Sequence, residues 1–178
     1  MNEGLGRPGL EALYLRLERP LYNLAYRWLW DAEEAMDVVQ EAFVRLWRAR
    51  ERIEPDTAKA LAYAAVINLS RSRRRARRLW RWATLEPLRE RGSGGREADA
   101  ELQRHGEQAR LRAAIEALPE KLKEVVLLCE LSELQYDEVS EALGIPIGTV
   151  ASRRHRALQL LRAALAGEGE DGRENAVR

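Results

Sequence analysis

Along most of the chain, apolar residues recur every three or four positions, the spacing of a helix that buries one face. In LEALYLRLERPLYNLAYRWLW (10–30) they fall at 10, 13, 14, 17, 21, 24, 25 and 28. Pro20 lies inside this pattern and either starts a second helix or kinks one long helix. Asp31 followed by Glu34 is an aspartate form of the capping box, so a new helix is expected from Asp31. Its apolar stripe reads Ala35, Met36, Val39, Ala42, Phe43, Leu46 and Trp47. ERIEPDTA (51–58) breaks the periodicity, with Pro55 marking a loop and Asp56 or Thr57 offering the next N-cap. A helix over 58–78 follows, alanine-rich at first and arginine-rich at its end. Period-two alternation between turn signals is absent, so the predicted fold class is all-α.

From 84 to 106 the periodicity fades. This stretch holds Pro87 and the cluster Gly92-Ser93-Gly94-Gly95, a composition suited to a linker. Helical spacing returns after Gln108, in segments divided at Pro119, Ser132 and Gly144-Ile145-Pro146. The expected organisation is two small helical domains: residues 1–82, then a flexible linker over 83–107, then a helix-turn-helix domain over 108–167, with a disordered tail over 168–178.

YDEVSEALGIPIGTVASRRHRALQLL (136–161) carries the helix-turn-helix pattern. A short helix ends at Gly144, which suits a left-handed turn position, and Ile145-Pro146 cannot continue it. The next helix opens at Ile147-Gly148-Thr149, places Val150, Ala157, Leu158 and Leu161 at core spacing, and exposes Ser152, Arg153, Arg154, His155 and Arg156. An uncapped start with small residues and a basic face suits entry into a major groove. The amides of Gly148 and Thr149 would meet phosphate while arginines reach guanine edges. An ordinary helical hairpin with a solvated basic face has the same spacing.

Charge changes this picture because it is sorted along the chain. The formal net charge is only +1, yet RSRRRARRLWRW (71–82) holds seven arginines and no acid, and DAEEAMDVVQE (31–41) holds five acids and no base. The basic run suits a nucleic-acid surface, a membrane-surface helix, or a solvated helix end. The apolar positions before it, Leu61, Ala65 and Leu69, form a thin face that a core also needs. The single cysteine, Cys129, sits in VVLLCEL as a small core residue. No signal peptide is expected from MNEGLGRPGL, and no apolar run approaches the ~20 residues of a membrane span, so a cytoplasmic protein with no direct membrane insertion is expected. Metal-ligand spacings, phosphate-binding glycine loops and nucleophile motifs are missing, so no catalytic residue, metal or cofactor is expected.

Two blocks carry a family resemblance. LPEKLKEVVLLCELSELQYDEVSEALGIPIGTVASRRHRAL resembles the carboxy-terminal domain of bacterial extracytoplasmic-function sigma factors. DAEEAMDVVQEAFVRLWR (31–48) resembles that family's polymerase-docking helix, and ALAYAAVINLSRSRRRARR (60–78) its promoter-opening helix. The resemblance implies a transcription initiation factor that binds core RNA polymerase and directs it to promoters, and no enzyme. It assigns Asp37, Gln40, Glu41 and Arg45 to polymerase docking. It assigns Arg52, Ile53, Glu54 and Asp56 to a loop that receives a flipped −10 base, with Asn68 on the adjoining helix face and Arg71, Arg74, Arg75 and Arg78 on single-strand phosphates. In the −35 reader it assigns Gly148, Thr149, Ser152, Arg153, Arg154 and Arg156. It also implies an anti-sigma factor as a further partner. Leu61, Arg71, Ala151 and Arg154 depart from the family's usual residues, and Arg154 either points outward to DNA or marks a rotation of its helix. Trp80 and Trp82 either pack on the helix end or start the linker. The competing reading is a stand-alone helix-turn-helix regulator of duplex DNA, which has no need of the 31–48 helix.

Overall fold

A computed structural model describes residues 4–84, 99–132 and 134–174, with side chains described over 4–80, 106–132 and 134–166. Seven α-helices and one 3₁₀ turn make up the described chain, and no strand occurs among the described residues. The first three helices are α1 (Gly6–Leu29), α2 (Ala32–Ala49) and α3 (Ala58–Thr84), with the 3₁₀ turn Arg50–Arg52 between the last two. The remaining four are α4 (Asp99–Ala117), α5 (Glu120–Leu131), α6 (Tyr136–Leu143) and α7 (Ile147–Glu174).

α1 passes through Pro20 without a break. Proline removes one N–H bond, and here the buried row Leu10, Leu13, Leu17, Leu21, Leu24 and Trp28 holds the helix together on both sides of it. α1 ends at Trp30, whose φ of 54° is left-handed, a conformation that aromatic residues seldom adopt. Asp31 is extended and accepts the Glu34 N–H at 3.0 Å, which starts α2 as its capping pattern predicts. The buried stripe of α2 runs Ala35, Val38, Val39, Ala42, Phe43 and Leu46. Met36 and Trp47, expected in that stripe, are each 41% exposed. They lie one position, or about 100°, off its centre line. Tyr14 of α1 packs edge-on against Phe43 at 4.8 Å, and α1, α2 and α3 pack on one another around this core.

The second group follows the helix-turn-helix expectation. α6 opens with the Glu138 carboxylate accepting the Gln135 N–H at 2.9 Å and closes at Gly144, with φ 62°. At that angle any Cβ is strained, so the turn into α7 depends on glycine here. Val150 and Ala157 are fully buried, while Leu158 and Leu161 pack partly buried against the same core.

Three boundaries differ from expectation. α3 runs on to Thr84, and α4 begins at Asp99, so 83–84 and 99–107 of the expected linker are helical; 85–98 lie outside the described residues. α7 continues to Glu174 through residues expected to be a disordered tail, with 175–178 outside the described residues. Adding a residue to an existing helix costs little compared with starting one, so polar composition alone does not stop it. The two helical groups also touch: α1 meets α5, α3 meets α6, and the buried core is continuous from Leu10 to Ala157.

Candidate nucleic-acid and polymerase interfaces

On α2, Asp37, Gln40 and Arg45 are exposed and Glu41 is half-buried. Glu41 accepts from Arg45 at 2.7 Å and from Arg73 of α3 at 3.2 Å. The Arg45 hydrogen bond, opposed by partial burial and helped by Arg73, holds the Glu41 carboxyl below the usual carboxylate range. Asp37 and Gln40 make no hydrogen bond or ion pair among the described residues. Gln40 also rims an apolar groove of about 690 Å³ lined by Leu10, Tyr14, Leu15, Phe43, Val44 and Trp47.

The loop before α3 is braced by the amino-terminal segment. The Leu5 N–H donates to the carbonyls of Arg50 at 3.0 Å and Ile53 at 2.9 Å. A Cβ on Gly4 would fall 2.4 Å from the Glu51 carbonyl oxygen, so only glycine fits there. Nothing in the periodicity of the first ten residues announces this bracing. Ile53 is 5% exposed and belongs to the core, so in this conformation it forms the floor of the loop, whereas Arg52 and Asp56 stand exposed on it. Asn68 is exposed one position before Leu69, which is buried.

The arginine run resolves into three sets. Arg73 pairs with Glu41, and Arg77 pairs with Glu34 and donates to the Leu29 carbonyl, both within the first group of helices. Arg71 and Arg74 reach the second group: Arg71 lies 3.1 Å from Glu124, and Arg74 donates to Glu116 at 2.7 Å. Arg75 and Arg78 are exposed and make no hydrogen bond or ion pair among the described residues. Ala62, Val66 and Leu69 of α3 lie in the core, whereas Leu61, and Leu79 and Trp80 at the end of the arginine run, are exposed. Among the described residues, no helix is long and apolar enough to cross a membrane.

Glu116 of α4 is the centre of the contact between the groups. It accepts from Trp30 Nε1 at 2.8 Å, Lys123 Nζ at 2.5 Å and Arg74 at 2.7 Å. Burial alone would raise its pKa, but Lys123, Arg74 and Trp30 outweigh burial and leave the carboxyl below its ordinary value. Lys123 is fully buried over the Trp28 ring at 5.0 Å, and burial brings its ammonium down to about 8 against the pull of Glu116. Next to it, Glu124 is buried and its pKa is raised by desolvation, with Arg71 and Arg153 offsetting part of that cost.

On α7, Gly148, Ser152 and Arg156 are exposed and Thr149 and Arg153 half-exposed. Ser152 Oγ donates back to the Thr149 carbonyl at 3.1 Å. Arg154 is engaged: it donates to Glu130 at 2.6 Å and to the Tyr136 hydroxyl at 3.1 Å, tying α7 to the ends of α5 and α6. Its departure from the family pattern therefore has a structural outlet inside the helix-turn-helix. Cys129 is half-buried and burial raises its thiol pKa, as expected of a packing residue.

Residues 13–81 match the Sigma-70 region 2 family, and residues 108–161 match the family Sigma-70, region 4. The chain is 31% identical over 166 residues to the RNA polymerase sigma-H factor of Pseudomonas aeruginosa, covering 87% of this chain and 85% of that protein. The chain belongs to the ECF RNA polymerase sigma factors. The RNA polymerase sigma-E factor of Streptomyces coelicolor is 34% identical to this sigma factor over 155 residues, covering 86% of this chain and 84% of that one. The ECF sigma factor SigE of Mycolicibacterium smegmatis is 32% identical, and there the alignment covers 88% of this chain and 61% of the longer relative. Among solved structures, the sigma factor RpoE of Bartonella quintana, in complex with the anti-sigma factor NepR, aligns with a TM-score of 0.69 at 22% identity, covering 88% of this chain and 96% of that one. That similarity supports the all-α fold. As a sigma factor the protein binds core RNA polymerase and directs it to promoter DNA. The region 2 match disfavours a stand-alone regulator of duplex DNA.

Proposed function

We propose that three surfaces divide the work of initiation. Asp37, Gln40, Glu41 and Arg45 of α2 dock on polymerase. The loop carrying Arg52, Ile53 and Asp56, together with Asn68, Arg71, Arg74, Arg75 and Arg78 of α3, receives the opened −10 strand. The first turns of α7 read the −35 duplex through Gly148, Thr149, Ser152, Arg153 and Arg156, with Arg154 steadying the helix. On this reading the first domain spans 1–82 and the −35 domain 108–167. The factor performs no chemistry of its own, works in the cytoplasm beside the polymerase, and is a candidate for control by an anti-sigma factor like the one captured with the Bartonella quintana protein.

One observation carries this reading. Asp37, Gln40, Arg75, Arg78 and Arg156 stand exposed with no hydrogen bond or ion pair among the described residues, while Arg71, Arg73, Arg74 and Arg77 are engaged by acids. Unpaired exposed polar groups keep their capacity for a partner at no cost in broken contacts. The test is binding of full-length Asp37→Arg to core polymerase. Affinity is expected to fall by about 10²-fold or more, because a reversed charge meets a surface complementary to the original one. Helicity is expected to stay unchanged. Undiminished affinity rejects the docking assignment.

A further inference from the structure

The contact between the two groups of helices uses the basic face of α3. Lys59 meets Glu138 of α6 at 2.5 Å, Arg71 meets Glu124 of α5 at 3.1 Å, and Arg74 meets Glu116 of α4 at 2.7 Å. Trp30 and Trp28 add the indole bond to Glu116 and the ring beneath Lys123. Three acids from the second domain thus sit where a phosphate strand would need the cations of α3.

We propose that the sigma factor closes on itself, with Glu116, Glu124 and Glu138 acting as an internal mimic of the promoter backbone on Lys59, Arg71 and Arg74. The closed form occupies Arg71 and Arg74 of the −10 face and leaves Arg75, Arg78 and the −35 face of α7 open. The proposal rests on the assignment of Arg71 and Arg74 to promoter phosphates. Two features make the closure openable. The cations of the three pairs are only partly buried, and such pairs each contribute little. Lys123 and Glu124, by contrast, lose hydration when the domains meet, so burial of their charges opposes closure. Strand and second domain compete for the same cations, so by linkage whatever binds α3 releases the second domain, and the reverse holds equally.

The test uses full-length protein carrying Glu116→Gln, Glu124→Gln and Glu138→Gln. A charge-matched control carries Glu33→Gln, Glu107→Gln and Glu141→Gln, three exposed acids without a described ion pair. Small-angle scattering reads closure, and fluorescence anisotropy reads binding to a labelled 20-nucleotide single strand of mixed sequence. The interface variant is expected to expand beyond the compact radius of about 16 Å for a chain of this length. It is also expected to bind the strand about five- to ten-fold more tightly, because a larger share of molecules is competent. The control should do neither. Unchanged size in the interface variant, or equal tightening in both variants, overturns the proposal. Glu116→Gln strips the buried Lys123 of a partner, so circular dichroism checks folding, and Lys59→Glu provides a second route to opening that leaves the second domain intact. Arg75→Ala with Arg78→Ala separates the two layers. If that pair leaves strand binding unchanged, the promoter assignment of α3 fails. If it weakens binding while the interface variant stays compact, closure alone fails.

Discussion

α3 and α7 are both arginine-rich helices assigned to promoter DNA, and they use their charge in opposite ways. Of the six arginines described in the run at the end of α3, four are engaged by acids: Arg71, Arg73, Arg74 and Arg77. At the start of α7 only Arg154 is tied down, and Arg153 and Arg156 keep their guanidinium groups free of ion pairs among the described residues. The density of positive charge is therefore a poor guide to its availability. On the proposed assignment, α7 offers Arg153 and Arg156 to duplex as it stands, whereas Arg71 and Arg74 of α3 must first give up contacts with the second group of helices.

The largest expected effect comes from removing what both helical groups share. Trp28 is buried beneath Arg74 and Lys123, and Trp28→Ala is expected to cost about 3–5 kcal/mol in denaturant unfolding. A loss below about 1 kcal/mol would show that the α3 side gains little from the second domain, and would erase the contrast. Next, Arg153→Ala is expected to weaken −35 duplex binding by about 1–3 kcal/mol in a sequence-dependent way, measured on a promoter library. Equal loss on every promoter would make Arg153 a phosphate contact. The matching change on the other helix, Arg71→Ala, removes the contact with Glu124 and, on the proposed assignment, a phosphate contact with it. Its net effect on strand binding by the free factor is therefore expected to be smaller than that of Arg153→Ala on duplex.

The smallest effect is in pH dependence. The Lys123 ammonium, facing Glu116, Arg74, Glu120 and the Trp28 ring, titrates near 8 when buried, against its ordinary 10.5. Between those values the unfolded chain holds a proton that the folded chain lacks, so this group makes stability rise with pH across that window. Denaturant unfolding of wild type should show a rise of about 1 kcal/mol from pH 8 to 9.5, and Lys123→Met should flatten it. An unchanged slope in the variant would mean that Lys123 is not the group responsible.

Much of this molecule was legible in the sequence wherever a local signal decides the outcome. The cap at Asp31, the turn at Gly144 and the stripe through Val150 and Ala157 all depend on residues within a few positions of one another. The unbroken α1 across Pro20 was not legible, because neighbouring helices decide whether a lost N–H bond breaks it. Periodicity reports that a residue faces a core, but not whose core. That is why Met36 and Trp47 fell on the rim, and why Lys123, one of only three lysines, gave no hint of being buried. The pairs that set the availability of α3 join residues 32 to 79 positions apart. Such contacts leave no trace in a linear pattern of charge, which shows only that acids and bases are sorted.

The left-handed turn at Trp30 has a consequence for observation. That turn aims the indole out of α1 between Arg27 and Arg112, each 5.2 Å from its ring, and its N–H ends on a carboxylate 86 residues further on. The ring is thus a built-in fluorophore at the seam between the domains, and its emission colour reports whether a charged neighbour or bulk water surrounds it. The chain has five tryptophans, so the difference in emission between wild type and Trp30→Phe isolates this report during a titration with DNA.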